Sequence, residues 1–181
     1  MTEKELIQAC INKNQRACKE LYEQNKSWLY ALCLRYHKNK VDAQDSLQES
    51  FITIYRNLHT FSAQGSFKGW MRKVTVRCIL AGFRKKNKLP VSEAALNSEP
   101  TDFKLIQSMD KDEIMFLIER LPAGRKHIFV AHAIDGFTHK EIGEMLGVTE
   151  GTSKSQFFHA RRELREALEK EIVIVKPHTH E

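Results

Sequence analysis

The sequence predicts an all-α fold: two small helical domains joined by a flexible linker, the second containing a helix-turn-helix. Three observations predict it. Apolar residues recur at steps of three and four along most of the chain, and no stretch alternates with a sustained period of two. Two S/T-x-x-E boxes, Thr2 with Glu5 and Thr138 with Glu141, stand just ahead of apolar runs, where helices begin. Between them, the stretch around residues 90–110 carries Pro90 and Pro100 and no clear period, which reads as a linker. The expected boundaries are 1–90 for the first domain, 91–111 for the linker, 112–172 for the second domain and 173–181 for a tail.

The elements follow in order. The box at Thr2 opens a short helix with Leu6, Ile7, Cys10 and Ile11. Further helices are suggested by Ala17, Cys18, Leu21 and Tyr22, then by Trp28, Leu29, Leu32 and Tyr36. A long amphipathic helix is predicted from about Val41 to Leu58, with Ala43, Leu47, Phe51, Ile54 and Leu58 as its buried stripe. Its outer side shows Gln44, Asp45, Gln48, Glu49 and Ile52. From periodicity alone that side suits plain solvation, and it also suits a partner's basic helices. After the polar stretch Ser62 to Ser66, another helix places Phe67, Trp70, Met71, Val74, Cys78 and Ala81 on one face, with Lys68, Arg72, Lys73 and Arg77 off that stripe.

In the second domain Ile114, Leu117, Ile118 and Leu121 form one stripe. Pro122 stops that helix and suits the first turn of the next, which carries Ile128, Phe129 and Ile134 up to the Asp135-Gly136 turn. The box at Thr138 opens a short helix with Ile142, Met145 and Leu146, and Gly147 is placed for the left-handed residue that ends it. Val148 fills the turn and Thr149 caps a longer helix whose inward positions are Ser153, Phe157, Ala160, Leu164 and Leu168. Two helices joined in this way describe a helix-turn-helix, whose second helix enters the DNA major groove. Its predicted outward positions are Lys154, Ser155, Phe158, His159, Arg161, Arg162 and Arg165. Cations there reach phosphates or guanine edges, and a ring packs on thymine methyls.

Composition narrows the function. The chain has 181 residues, 41% hydrophobic and 29% charged, which is too apolar for a wholly disordered chain; 4 Pro and 8 Gly exclude a collagen-like one. No apolar run nears the roughly 18 residues of a membrane span, and the start, MTEKELIQAC, has acids where a secretory leader would be basic, so the cytoplasm is expected. Cys10, Cys18, Cys33 and Cys78 have no zinc or C-x-x-C spacing and read as reduced core thiols. No cofactor or metal is expected. His178 and His180 in the tail could chelate weakly but sit on a chain end.

Charge is segregated. Residues 1–90 hold 17 basic and 7 acidic side chains, whereas residues 112–172 hold 9 and 11. From Lys68 to Lys88 the chain carries Lys68, Arg72, Lys73, Arg77, Arg84, Lys85, Lys86 and Lys88 and no acid. Such a block suits a polyanion; a solvated helix face is the alternative, although that usually interleaves acids.

Two segments together carry a family resemblance. DAQDSLQESFITIYRNLHTF followed by GSFKGWMRKV resembles the second conserved region of the extracytoplasmic-function group of bacterial RNA polymerase sigma factors, and LPAGRKHIFVAHAIDGFTHKEIGEMLGVTEGTSKSQFFHARRELREAL resembles the fourth. The resemblance implies that Asp45, Gln48 and Glu49 dock on the clamp helices of core RNA polymerase. It implies that Phe61, Lys68, Arg72, Lys73, Arg77, Arg84, Lys85 and Lys86 hold the opened −10 element of promoter DNA, with a base flipped into a pocket of the loop Ser62 to Ser66. For the −35 element it implies Lys154, Ser155, Phe158, His159, Arg161 and Arg162. An anti-sigma factor is implied as a further partner, and no stable homo-oligomer is expected.

The chain also departs from the family's pattern. Arg77 stands where most members have Asn, Gln156 and His159 where Arg is frequent, and Ser153 where Val is usual. A linker of some 20 residues reaches about 66 to 72 Å, enough for promoter elements about 17 base pairs and so about 58 Å apart. A stand-alone helix-turn-helix regulator is the alternative, but it would leave the D-x-x-Q-E face unused and lacks a heptad seam for a dimer. An enzyme such as a nuclease lacks any paired carboxylate or His/Cys cluster of catalytic spacing.

Overall fold

In a computed structural model that describes residues 1–86 and 111–175, every regular element is helical. The linker expected at 91–111, apart from its last residue, lies outside the described residues, as do Lys88, His178 and His180. The chain divides into two units, Met1–Asn87 and Lys88–Glu181.

The first unit holds α1 (Glu3–Ile11), α2 (Gln15–Tyr36), α3 (Lys40–Asn57) and α4 (Phe67–Lys86). The capping box at α1 is formed: Glu5 N–H donates to Thr2 Oγ1 at 3.3 Å, and Thr2 N–H to Glu5 Oε2 at 2.8 Å. The two stripes expected over residues 17–36 belong to a single helix. No Gly or Pro interrupts them, and Asn25 runs its polar contacts along the axis, donating to the Leu21 carbonyl and accepting from the Trp28 indole. Helix α3 starts at the Asn39 cap, whose side chain accepts from Asp42 N–H at 2.8 Å, and ends in a 3₁₀ turn, Leu58–Thr60. Its stripe of Ala43, Leu47, Phe51, Ile54 and Leu58 is buried as expected. The Tyr55 hydroxyl donates to the Cys18 carbonyl and ties α3 to α2.

Helix α4 corrects the expected face. Its buried residues are Phe67, Met71, Thr75, Val76, Ile79 and Leu80; Trp70, Val74 and Cys78 are half-buried and Ala81 is exposed. The helix packs against both α2 and α3, so its buried arc is wider than one stripe and is turned from the one that period 3.6 alone suggests. Each of these fully buried aliphatic side chains stabilises the unit by about 1.5 to 3 kcal/mol.

The second unit holds α5 (Lys111–Arg120), α6 (Ala123–Phe129), α7 (His139–Leu146) and α8 (Glu150–Val175), with a π turn at Val130–Ile134. Pro122 is the N-cap residue of α6, one place before its first turn. Lys126 is 1% exposed, and its ammonium donates to Glu119 Oε1 at 2.5 Å, so α5 supplies the buried charge with its partner. The box at α7 is formed, with Glu141 N–H on Thr138 Oγ1 at 3.2 Å. Gly147 takes φ 70°, the left-handed end expected of it. A second glycine matters as much: a Cβ on Gly143 would stand 2.8 Å from the Val148 carbonyl oxygen, so α7 meets the turn at bare backbone.

Candidate nucleic-acid interface

The outer face of α3 is continuous. Asp45, Gln48 and Glu49 are exposed along it, flanked by Val41 and Ile52, which are 66% and 43% exposed. The opposite stripe is anchored in the core, so these side chains are displayed by a rigid helix. Asp42, one turn nearer the cap, has its carboxyl held below the usual range by the Asn39 amide and then by Lys86, whose ammonium is 3.7 Å away.

The basic residues of α4 do not share one face. At 100° per residue Lys68 and Arg72 lie about 40° apart, whereas Lys73 and Arg77 lie about 140° and 180° from Lys68. Lys68, Lys73, Arg77, Arg84, Lys85 and Lys86 are exposed and Arg72 is half-buried. Lys86 already pairs with Asp42. Phe61 is half-buried in a ring cluster, 5.1 Å from Phe67 and 5.8 Å from Trp70, while Phe67 and Trp70 stack at 5.7 Å. Phe67 is core, so Phe61 and Trp70 are the rings of this cluster within reach of solvent. The loop before α4 is exposed from Ser62 to Ser66, and Ala63 sits at φ 57°.

In the second unit Thr149 caps α8, accepting from Thr152 N–H at 3.0 Å. Ser153, Ala160, Leu164 and Leu168 are buried as expected and Phe157 is half-buried. Lys154, Arg162 and Arg165 are exposed; Phe158, His159 and Arg161 are half-buried. Ser155 is a correction: it is 4% exposed, not outward. Helix α8 packs on α5, α6 and α7, and Ser155 lies about 60° round the axis from Thr152, itself buried, so it belongs to the flank of a wide buried arc.

Three exposed cations of α8 face acids one turn on or back. Lys154 pairs with Glu150 at 2.6 Å, Arg162 with Glu166 at 3.7 Å, and Arg165 with Glu169 at 3.7 Å. The Glu150 carboxyl is held below its usual range by Lys154. Gln156, at a position where Arg is frequent in the family, accepts from Arg125 Nε at 3.2 Å, and the same guanidinium pairs with Glu163. His159 has its Nδ1 buried without a partner, and burial followed by Arg125 and Arg162 lowers its pKa. Sequence reasoning missed Glu150, Arg125 and Glu163. The spacing of Glu150 and Lys154 was visible as an i, i+4 pair, whereas the reach of Arg125 from α6 to α8 was not.

Beneath this face lies a histidine pair. His139 and His132 stack at 4.0 Å; His132 Nδ1 lies 2.7 Å from the Phe137 carbonyl and His139 Nδ1 lies 3.0 Å from Ser153 Oγ. Burial, then His132, then Lys154 push the His139 pKa down to about 4, so it is neutral near pH 7 and joins α7 to α8 as a hydrogen-bonding group.

Against known proteins, the family model for sigma-70 region 2 matches residues 21–89, and that for sigma-70 region 4 matches residues 111–164. The chain is 27% identical over 163 residues to the ECF RNA polymerase sigma factor SigE of Mycolicibacterium smegmatis, covering 83% of this chain and 61% of that protein, less than two thirds of its length. With SigW of Bacillus subtilis it is 27% identical over 179 residues, covering 91% and 96%. Among solved structures, the sigma factor RpoE of Bartonella quintana, in complex with the anti-sigma factor NepR, shares the fold with a TM-score of 0.53 at 18% identity, over 83% of this chain and 96% of that one. CnrH, solved with the cytosolic domain of CnrY, gives 0.51 at 17% identity, over 93% and 97%.

Proposed function

This chain belongs to the extracytoplasmic-function RNA polymerase sigma factors, and from that premise we propose how its two units share the work of promoter-specific initiation. The first domain, expected at residues 1–90, docks on core RNA polymerase through Asp45, Gln48 and Glu49 and holds the opened −10 element. Its electrostatic grip on the strand comes from Lys68, Arg72, Lys73, Arg77, Arg84, Lys85 and Lys86, with Phe61 as an aromatic contact. The second domain, expected at residues 112–172, lays α8 in the major groove at the −35 element, with Lys154, Phe158, Arg161 and Arg162 toward DNA. His159 serves at its edge, and Ser155 is withdrawn from the reading set. Residues 91–111 join the two domains in sequence, and of the tail expected at 173–181 the first three residues continue α8.

Polymerase carries the chemistry of RNA synthesis, and this chain acts by binding, in the cytoplasm, as a single copy. No helix among the described residues is long and apolar enough to cross a membrane. As RpoE of Bartonella quintana does with NepR, it takes an anti-sigma factor as the partner that holds it silent. The observation that carries this reading is the pairing of the two matched regions in one chain and in order. Run-off transcription with core polymerase on genomic fragments tests it: specific transcripts that require this chain are expected. Sequence-specific DNA binding without any association with core polymerase would replace it by a stand-alone regulator.

A further inference from the structure

A groove of about 630 Å³ lies between α2 and the start of α4. Trp28, Leu32 and Arg35 line it from α2, and Ser66, Lys68 and Arg72 from the other side. The volume is that of a small-molecule site. Its lining joins one aromatic face to three cationic side chains, with no Asp or Glu among the lining residues. The Trp28 ring is half-buried and fixed by its indole N–H, which donates to Asn25 Oδ1 at 2.9 Å. The Lys68 ammonium lies 5.2 Å from the ring centroid, so one face of the indole is already a binding face. Lys68 and Arg72 turn toward this groove, about 100° to 180° round α4 from Lys73 and Arg77. The groove thus lies on another side of α4 from Arg77, and it meets the loop Ser62 to Ser66 only at Ser66.

A bare phosphate needs no ring, and an acidic peptide needs no flat apolar platform. A nucleotide has both a π face and a phosphate. We propose that this groove is a nucleotide-binding site in which an unpaired base stacks on Trp28 while Arg35, Lys68 and Arg72 take the phosphates on either side of it. The nucleotide comes from one of two sources, the opened promoter strand or a free nucleoside phosphate. The strand arm rests on the −10 role given above to the first unit.

The chain's two tryptophans are Trp28 and Trp70, so the full-length Trp70→Phe protein carries Trp28 as its lone reporter. Titration with an oligo(dA) strand of about 12 nucleotides is expected to quench its emission. In anisotropy with the same strand, labelled, Trp28→Leu is expected to lose about 5- to 150-fold in affinity. Trp28→Phe, which keeps a ring, stays near the parent value, and thermal melts check that both are folded. Lys68→Gln, at an exposed position, is expected to weaken binding and flatten the salt slope by about 0.7. If dAMP quenches Trp28 and competes with the strand, the site takes free nucleotides; if only the strand does so, it is a strand site, and both results uphold it. Absence of strand binding, strand binding without quenching, or equal affinities for Trp28→Leu and Trp28→Phe would overturn it. A chain that drives run-off transcription yet shows no quenching fails in this inference alone; one that shows quenching but no transcription keeps the site and loses the promoter reading.

Discussion

In the first unit α4 carries no acid and turns Lys73, Arg77, Arg84 and Lys85 outward, while Asp45 and Glu49 stand outward on α3. In the second, acids and bases stand one turn apart on the same helix, as Glu150 with Lys154, Arg162 with Glu166 and Arg165 with Glu169. Segregated charge builds a long-range field and offers whole faces of one sign to a partner. Interleaved charge cancels at a distance and leaves recognition to groups in direct contact. On the reading proposed above, the difference gives affinity to the first unit and choice of sequence to the second. On that reading the first unit supplies the attraction to DNA that a helix-turn-helix domain with more acids than bases lacks.

The largest expected effect comes from reversing the acidic face. Asp45→Lys with Glu49→Lys puts two cations where a basic partner docks, and association with core polymerase should weaken by roughly 2 to 5 kcal/mol, since like charges across an interface cost that much. Helical content stays unchanged because both residues lie off the buried stripe. A pull-down of the folded double mutant with undiminished polymerase removes α3 from the docking surface and breaks the contrast between the units.

Next in size is an effect of pH. His139 titrates at about 4 when folded and near 6.5 when unfolded, so its contribution is fully present above pH 6.5 and is lost as pH falls toward 4. The second unit should lose about 3 kcal/mol over that window. His139→Gln should flatten the profile, and an unchanged profile in that variant assigns the acid sensitivity elsewhere. A third test is Gly143→Ala. The added methyl meets the Val148 carbonyl, and overpacking of that kind costs about 1 to 3 kcal/mol. Hydrogen exchange should rise in α7 and α8 and stay at its parent level in α1 to α4. The smallest effect is expected from Glu150→Gln, which releases Lys154 from an exposed pair and should tighten −35 binding by less than about 1 kcal/mol, read by competition between promoters with and without that element.

Most of the fold was legible because its signals are local. The boxes at Thr2 and Thr138, the left-handed Gly147 and the α3 stripe depend on residues within a few positions of each other, and each is present in the structure. What escaped depends on packing between helices. The α4 face is set by two neighbouring helices at once, the close approach at Gly143 by the turn that follows it, and the burial of Ser155 by three helices around α8. The candidate site divides in the same way. Exposure of Asp45, Gln48 and Glu49 and the division of the α4 cations between two faces follow from period alone, whereas the hold of Arg125 on Gln156 and Glu163 needed the fold in three dimensions.

The division of labour is tested most directly by salt dependence. Promoter affinity of the holoenzyme should be measured against salt concentration for the parent, for Lys73→Ala with Arg77→Ala and Lys85→Ala, and for Arg161→Ala with Arg162→Ala and Arg165→Ala. The account predicts that the first triple variant flattens the slope by about 0.7 for every phosphate no longer neutralised, with the order of preferred promoters unchanged. The second should alter the slope less, because Arg162 and Arg165 already face glutamates, and should reorder the promoters by their −35 elements. A greater flattening of the slope in the second triple variant than in the first, with promoter order preserved, would contradict it.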